Sequence, residues 1–122
     1  MRYVSTRGQA AELGFTEALL AGLATDGGLY VPAEWPSLPQ HRDGMDYAAR
    51  AAQIMQLFVG DEIPADTLAA MCADAYSTFD HPAVVPLVQI DDEHFVQELF
   101  HGPTLAFKDV ALQLVGRLFD PS

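Results

Sequence analysis

Apolar residues recur at two periods along this chain, and each period predicts an element. Phe15, Ala18, Leu19, Gly22 and Leu23 fall on one helical face, which predicts a helix over 14–24. Tyr47, Ala51, Ile54, Met55 and Phe58 form the inner face of a second helix over 45–58. Pro64, a good first helical residue, opens a third. In it Leu68, Met71, Cys72, Ala75, Tyr76 and Phe79 repeat at helical spacing. The connection from Val59 to Ile63 is short, so these two helices are expected to form an antiparallel hairpin. Tyr3-Val4 and Leu29-Tyr30-Val31 read as short strands, the second preceded by a turn at Asp26-Gly27-Gly28 and stopped by Pro32. Residues 32–44 carry three prolines around Trp35 and read as an ordered loop. The apolar area of Trp35 is reason enough to expect it pinned over the core, with ligand stacking as the alternative.

The second half begins with a near-continuous apolar run, Val84-Val85-Pro86-Leu87-Val88-Gln89-Ile90. Such a run predicts a strand covered on both faces. Pro86 cannot donate to a ladder, so the strand should lie at an edge or be locally irregular. Asp91-Asp92-Glu93 reads as a solvated turn, and His94 to Phe100 as the partner strand of a hairpin. Gly102-Pro103 ends that strand. Thr104 can then cap a helix by accepting a backbone N–H two or three residues on. From Phe107 to Phe119 the apolar residues are helical in spacing: Phe107, Val110, Ala111, Leu114 and Leu118. A second row runs Lys108, Leu112, Val115 and Phe119, which leaves Asp109, Gln113 and Arg117 as a narrow polar stripe. A helix this apolar is either enclosed or faces something outside the chain. The fold class that follows is α+β, with three to four helices packed on short antiparallel strands and the Lys108 helix last.

Composition narrows the picture. At 122 residues, half of them apolar, the chain makes one domain with a modest core. A net charge of −11 argues against nucleic acid and anionic membrane as partners. Cys72 is the only cysteine, so no disulfide framework or thiolate cage is expected, which suits a reducing cytosol. The N-terminus lacks the apolar run of a signal peptide, and no run approaches a membrane span.

Against 17 acids stand only 6 Lys and Arg, so a lysine in apolar company needs a reason. Lys108, at the first turn of its helix, would be desolvated and would feel the positive end of the helix dipole. Both effects favour the neutral amine, the form that attacks carbonyls. A Schiff base with pyridoxal phosphate is the obvious chemistry. For a lone helical lysine, the ordinary alternative is a stem that snorkels along apolar surface to water.

The surrounding motif weighs on that choice. Phe100-His101-Gly102-Pro103-Thr104-Leu105-Ala106-Phe107-Lys108-Asp109 resembles the lysine-bearing segment of bacterial threonine synthases. Ser5-Thr6-Arg7-Gly8 resembles that family's opening. Gly22-Leu23-Ala24-Thr25-Asp26-Gly27-Gly28-Leu29-Tyr30-Val31-Pro32 resembles its next signature, with Thr25 where a proline is common. Phe58-Val59-Gly60-Asp61-Glu62-Ile63-Pro64 is similar to a third block. The four blocks stand in the family's order and span the chain.

The resemblance implies a pyridoxal-phosphate-dependent lyase of fold type II. It would convert O-phospho-L-homoserine and water to L-threonine and phosphate. It implies Lys108 as the catalytic, cofactor-binding lysine, flanked by Phe107. Arg7, Thr104 and His101 are the candidates for substrate contact. Arg7, with Ser5 and Thr6, is suited to a phosphate ester, or it pairs with an acid. His101 either orients a substrate group or closes its turn by a hydrogen bond. No metal site is expected: His94 and Glu98 share a strand face, but His101 falls opposite them or beyond the strand end.

The nine glycines are scattered, and no glycine-rich phosphate cup is present. The expectation is therefore an N-terminal fragment of a cytoplasmic enzyme, residues 1–122 of a protein several times longer. On its own it should lack cofactor and activity, and its open apolar seam should favour self-association. The alternatives are a non-catalytic stand-alone module and a related phospholyase.

Overall fold

The computed structural model describes residues 1–120. Among them it has four helices and two small antiparallel sheets, an α+β architecture. The chain divides into two units. The first comprises Met1–His41 with Gln53–Ala65, and the second Arg42–Ala52 with the chain from Asp66 on.

In the first unit, strand β1 (Tyr3–Ser5) pairs antiparallel with β2 (Tyr30–Pro32), Val4 opposite Val31. Helix α1 covers Phe15–Ala21, shorter at both ends than its periodicity predicts. Gly22 turns out of the helix at a φ of 69°, a left-handed value that glycine reaches without a Cβ penalty. Leu23 is consequently outside the helix and exposed. The first N–H groups of α1 need acceptors. Glu62 provides them, taking Phe15 N–H at 2.7 Å and Thr16 N–H at 3.1 Å. Sequence position alone suggests that Glu62 serves the helix after it; in the structure it caps the one before. Trp35 is 75 % exposed rather than pinned over a core. The chain around it has no regular hydrogen-bonded structure to fold back over the ring.

Helix α2 covers Tyr47–Val59 and α3 covers Ala65–Ser77. The predicted inner face of α2 is half-buried throughout, and Ala52 and Val59 are its most enclosed residues. Leu68, Met71, Cys72, Ala75 and Tyr76 are buried, as the helical period of α3 requires, and Phe79 is buried just beyond its end. In the second unit Tyr47 meets Tyr76 edge-on at 4.8 Å, and Phe79 lies 5.6 Å from the same ring. The Tyr76 hydroxyl donates to the Val110 carbonyl at 2.8 Å. Burial, with Tyr47 and Cys72 nearby, pushes that hydroxyl's pKa up to about 12. Burial likewise pushes the Cys72 thiol up, in keeping with a small core residue.

The predicted strand over 84–90 shrinks to β3 (Leu87–Gln89), paired with β4 (Phe95–Gln97). Val84 is the reason. It is buried in a turn at a φ of 62°, closed by its N–H on the His81 carbonyl, and a left-handed residue cannot continue a strand. Pro86 stands just before the ladder and contributes only its carbonyl, to Glu98 N–H at 2.9 Å. Both strands are exposed along their whole length, where the apolar run suggests cover on both faces. The acidic turn between them is built on Asp91. Its carboxylate accepts from the N–H groups of Glu93 and His94 and meets the His94 ring at 2.7 Å. Helix α4 covers Asp109–Phe119 and buries Asp109 and Leu114.

Candidate functional site

The segment from Phe100 to Asp109 folds as a run of tight turns rather than as the start of a helix. Leu105 N–H bonds the Gly102 carbonyl at 3.1 Å, and Asp109 N–H bonds the Ala106 carbonyl at 3.1 Å. Leu105 takes a φ of 66°, uncommon for a residue with a branched side chain. The helix therefore begins at Asp109, two residues later than the apolar period implies. The Thr104 hydroxyl is only 3.4 Å from Ala106 N–H, a weak version of the expected cap. Its stronger bond runs forward: Thr104 gives both its N–H and its hydroxyl to one Asp109 oxygen, each at 2.8 Å. Gln113 donates to the other oxygen at 3.2 Å.

Asp109 is the feature that sequence reading misplaces. It stands on the narrow polar stripe of α4, yet it is 2 % exposed. Burial alone would raise its pKa. The donations from the Thr104 hydroxyl, the Thr104 N–H and Gln113 outweigh it and hold the carboxyl below the usual range. Gly102 packs directly on it, and a Cβ at position 102 would lie 2.5 Å from the Cβ of Asp109. A helix-start Asp followed four residues later by Gln is the one local signal that could have pointed to this cluster.

Lys108, the only lysine in the sequence, occupies the residue ahead of α4. It is exposed, where the apolar company of the motif suggests a desolvated amine. The reason lies in the row it shares: Leu112 and Phe119 on the same helical row are exposed too and Val115 is half-buried, so this face of α4 has little cover among the described residues. Among the described residues no hydrogen bond or ion pair engages the Lys108 ammonium. Lys108 lines an open, apolar cavity of about 400 Å³ with Leu99, Phe107, Val110, Ala111 and Leu112. Phe107 presents its ring there, 66 % exposed.

His101 is half-buried, with its Nε2 2.8 Å from a Glu98 oxygen and its ring 5.1 Å from that of His81. Strand alternation paired Glu98 with His94; the turn after β4 brings Glu98 to His101 instead, and His94 goes to Asp91. The His101 carbonyl also accepts Asp80 N–H at 2.9 Å, tying this segment to the chain that follows α3. Among the described residues no group of three or more His, Cys, Asp or Glu could hold a metal ion.

Arg7 belongs to the first unit. One of its guanidinium nitrogens donates to the Asp26 carbonyl at 3.0 Å. The Asp26 carboxylate gathers the surrounding loops: it accepts from the Ser5 hydroxyl at 2.7 Å, Gly28 N–H at 2.9 Å and Gln9 N–H at 2.9 Å. These donors, Ser5 foremost, with the Arg7 charge beside them, hold its pKa below the ordinary value. The Thr6 hydroxyl is taken by Leu29 N–H at 3.0 Å. Ser5 and Thr6, expected to face a phosphate beside Arg7, are thus spent on the loop itself.

By fold and by this segment, the molecule is an α+β module with a single amine uncovered ahead of a helix, beside an apolar wall. The family profile described as "Threonine synthase N terminus" matches residues 2–76. A threonine synthase of Pseudomonas aeruginosa is 49% identical over 98% of this chain and 26% of its own length. One from Schizosaccharomyces pombe is 46% identical over 97% and 24%. The crystal structure of PLP-bound threonine synthase from Brucella melitensis superposes with a TM-score of 0.90 at 54% identity, covering 98% of this chain and 27% of that one. The chain belongs to the threonine synthase family, in its N-terminal region, and spans about a quarter of the length of the curated relatives it matches.

Proposed function

We infer that this chain is the amine-bearing N-terminal part of a pyridoxal-phosphate-dependent threonine synthase, working on O-phospho-L-homoserine and water to give L-threonine and phosphate in the cytoplasm. The observation that carries this reading is the uncovered Lys108 beside an apolar wall in a chain of this family. The fit to the cofactor is one-sided. A primary amine and the flat Phe107 ring suit an aromatic aldehyde. The phosphate end finds no holder in the one adjacent glycine pair, because Gly28 N–H is already given to Asp26. Bound pyridoxal phosphate supplies an electron sink for carbanion chemistry. Lys108 Nζ is the group that would hold the cofactor at its aldehyde carbon and, when free, would hold or move a proton at the substrate carbon skeleton. Phe107, Val110 and Leu112 keep water from the amine once the open side is covered. Arg7, one guanidinium nitrogen of which donates to the Asp26 carbonyl, keeps further N–H groups of a kind that suits an anionic phosphate ester. His101 and Thr104 shape the loop that carries Lys108, and the His101 ring nitrogen not held by Glu98 remains for the substrate.

The isolated 122-residue chain lacks the holder for the phosphate group, so it releases no phosphate from O-phospho-L-homoserine. A protein of the relatives' length carrying this chain does, and Lys108→Ala removes its visible cofactor band. Phosphate release by the isolated chain, or a band that survives Lys108→Ala, would overturn the reading.

A further inference from the structure

The Asp109 carboxylate is an unusual thing to bury. All its hydrogen-bond donors among the described residues are neutral, and an ion hidden from water without a cation is costly. Its attachments are not spread through a core. Besides Gln113 on its own helix, they fall on Thr104 and, through close packing, on Gly102. These two residues bracket the turn that leads to Lys108. Between Thr104 and Asp109 the chain passes through Leu105 in the left-handed region, a conformation that persists only where the surroundings enforce it. The double grip on Thr104 is the enforcing contact.

We propose that Asp109 is the positioning residue for Lys108. By holding the N–H and hydroxyl of Thr104 on one oxygen, it locks the turn over 102–108 so that the amine leaves the chain ahead of α4, at the mouth of the apolar cavity. The proposal rests on the reading of Lys108 as the reacting amine. The negative charge matters to the lock. An asparagine side chain would keep one carbonyl acceptor but set an NH₂ group against the donors of Thr104 or Gln113.

The test uses a protein of the relatives' length that carries this chain, loaded with pyridoxal phosphate. Asp109→Asn is expected to keep the cofactor's visible absorbance but lose most of its induced circular dichroism, which reports a fixed orientation. It should lower kcat by roughly 10- to 100-fold with KM little changed, the size expected when a reacting group is held loosely. Thr104→Ser, which keeps both donors, should retain the induced circular dichroism of the parent. Thr104→Val, which keeps only the N–H, should fall between. If Asp109→Asn does not fold, the Thr104 pair decides alone. Induced dichroism and kcat at parental values in Asp109→Asn, or in Thr104→Val where the former is unfolded, would overturn the positioning role while Lys108→Ala still removes the visible band. A band that survives Lys108→Ala would instead overturn the role of Lys108 and this proposal with it.

Discussion

At the scale of single residues, three carboxylates hold loops together by accepting backbone N–H groups: Asp26, Glu62 and Asp109. Each has its pKa held below the ordinary value by hydrogen-bond donation, led by the Ser5 hydroxyl at Asp26, Thr16 N–H at Glu62 and, against the opposing effect of burial, the Thr104 hydroxyl at Asp109. The sign for stability follows. A carboxyl with a depressed folded-state pKa stabilises the fold fully above its unfolded pKa of about 4 and loses that contribution as pH falls through the lower folded value. The stability gap between the parent and Asp26→Asn should therefore be widest above about pH 5 and should close below about pH 4. Denaturant midpoints measured across that range check it; a gap that widens in acid would contradict the assignment. These three acids also mark what a sequence hides. Asp109 sits on the polar side of its helical row, and Asp26 in a glycine turn, so both look like solvated charges. Their acceptor roles depend on Thr104 and Ser5 being brought to them by turns whose φ values the residue types do not announce.

Among the elements, α3 was the most legible. Its apolar period needs only one face to be covered, and all five predicted positions within Ala65–Ser77 are, with Phe79 buried just past its end. Leu68 is fully enclosed there. Leu68→Ala should cost about 2–5 kcal/mol in chemical denaturation, the range for emptying a leucine site that cannot collapse. A loss below about 0.5 kcal/mol, as for ordinary surface changes, would contradict that burial. The hairpin was legible in its pairing but not in its extent or environment. An apolar run reads alike whether it is covered by its own chain or by something else, so β3 and β4 look like core strands and stand open. The lysine helix was legible only as an alternative: its apolar rows predict either enclosure or a face for something outside the chain, and Leu112 and Phe119 on the row through Lys108 stand exposed.

For the molecule as a whole, the apolar residues left open belong largely to the second unit: Leu87, Ile90 and Phe95 on the hairpin, and Phe107, Leu112 and Phe119 on and before α4. Contiguous apolar exposure of this kind favours association. Light scattering on the isolated chain should give a mass that climbs above 13.3 kDa with concentration. A monodisperse monomer at high concentration would count against it. The α+β class was readable because it needs only the kinds of element and their order. The assignment to two units was not, because α2 is shared between them and its periodicity continues unbroken across the division.

The solitude of Lys108 has a chemical consequence. Apart from the α-amino group, an aldehyde finds one primary amine in this chain with which to form an imine, and that residue is exposed. One adduct at that nitrogen would end imine formation in that copy, so damage here would follow single-hit statistics rather than accumulate gradually.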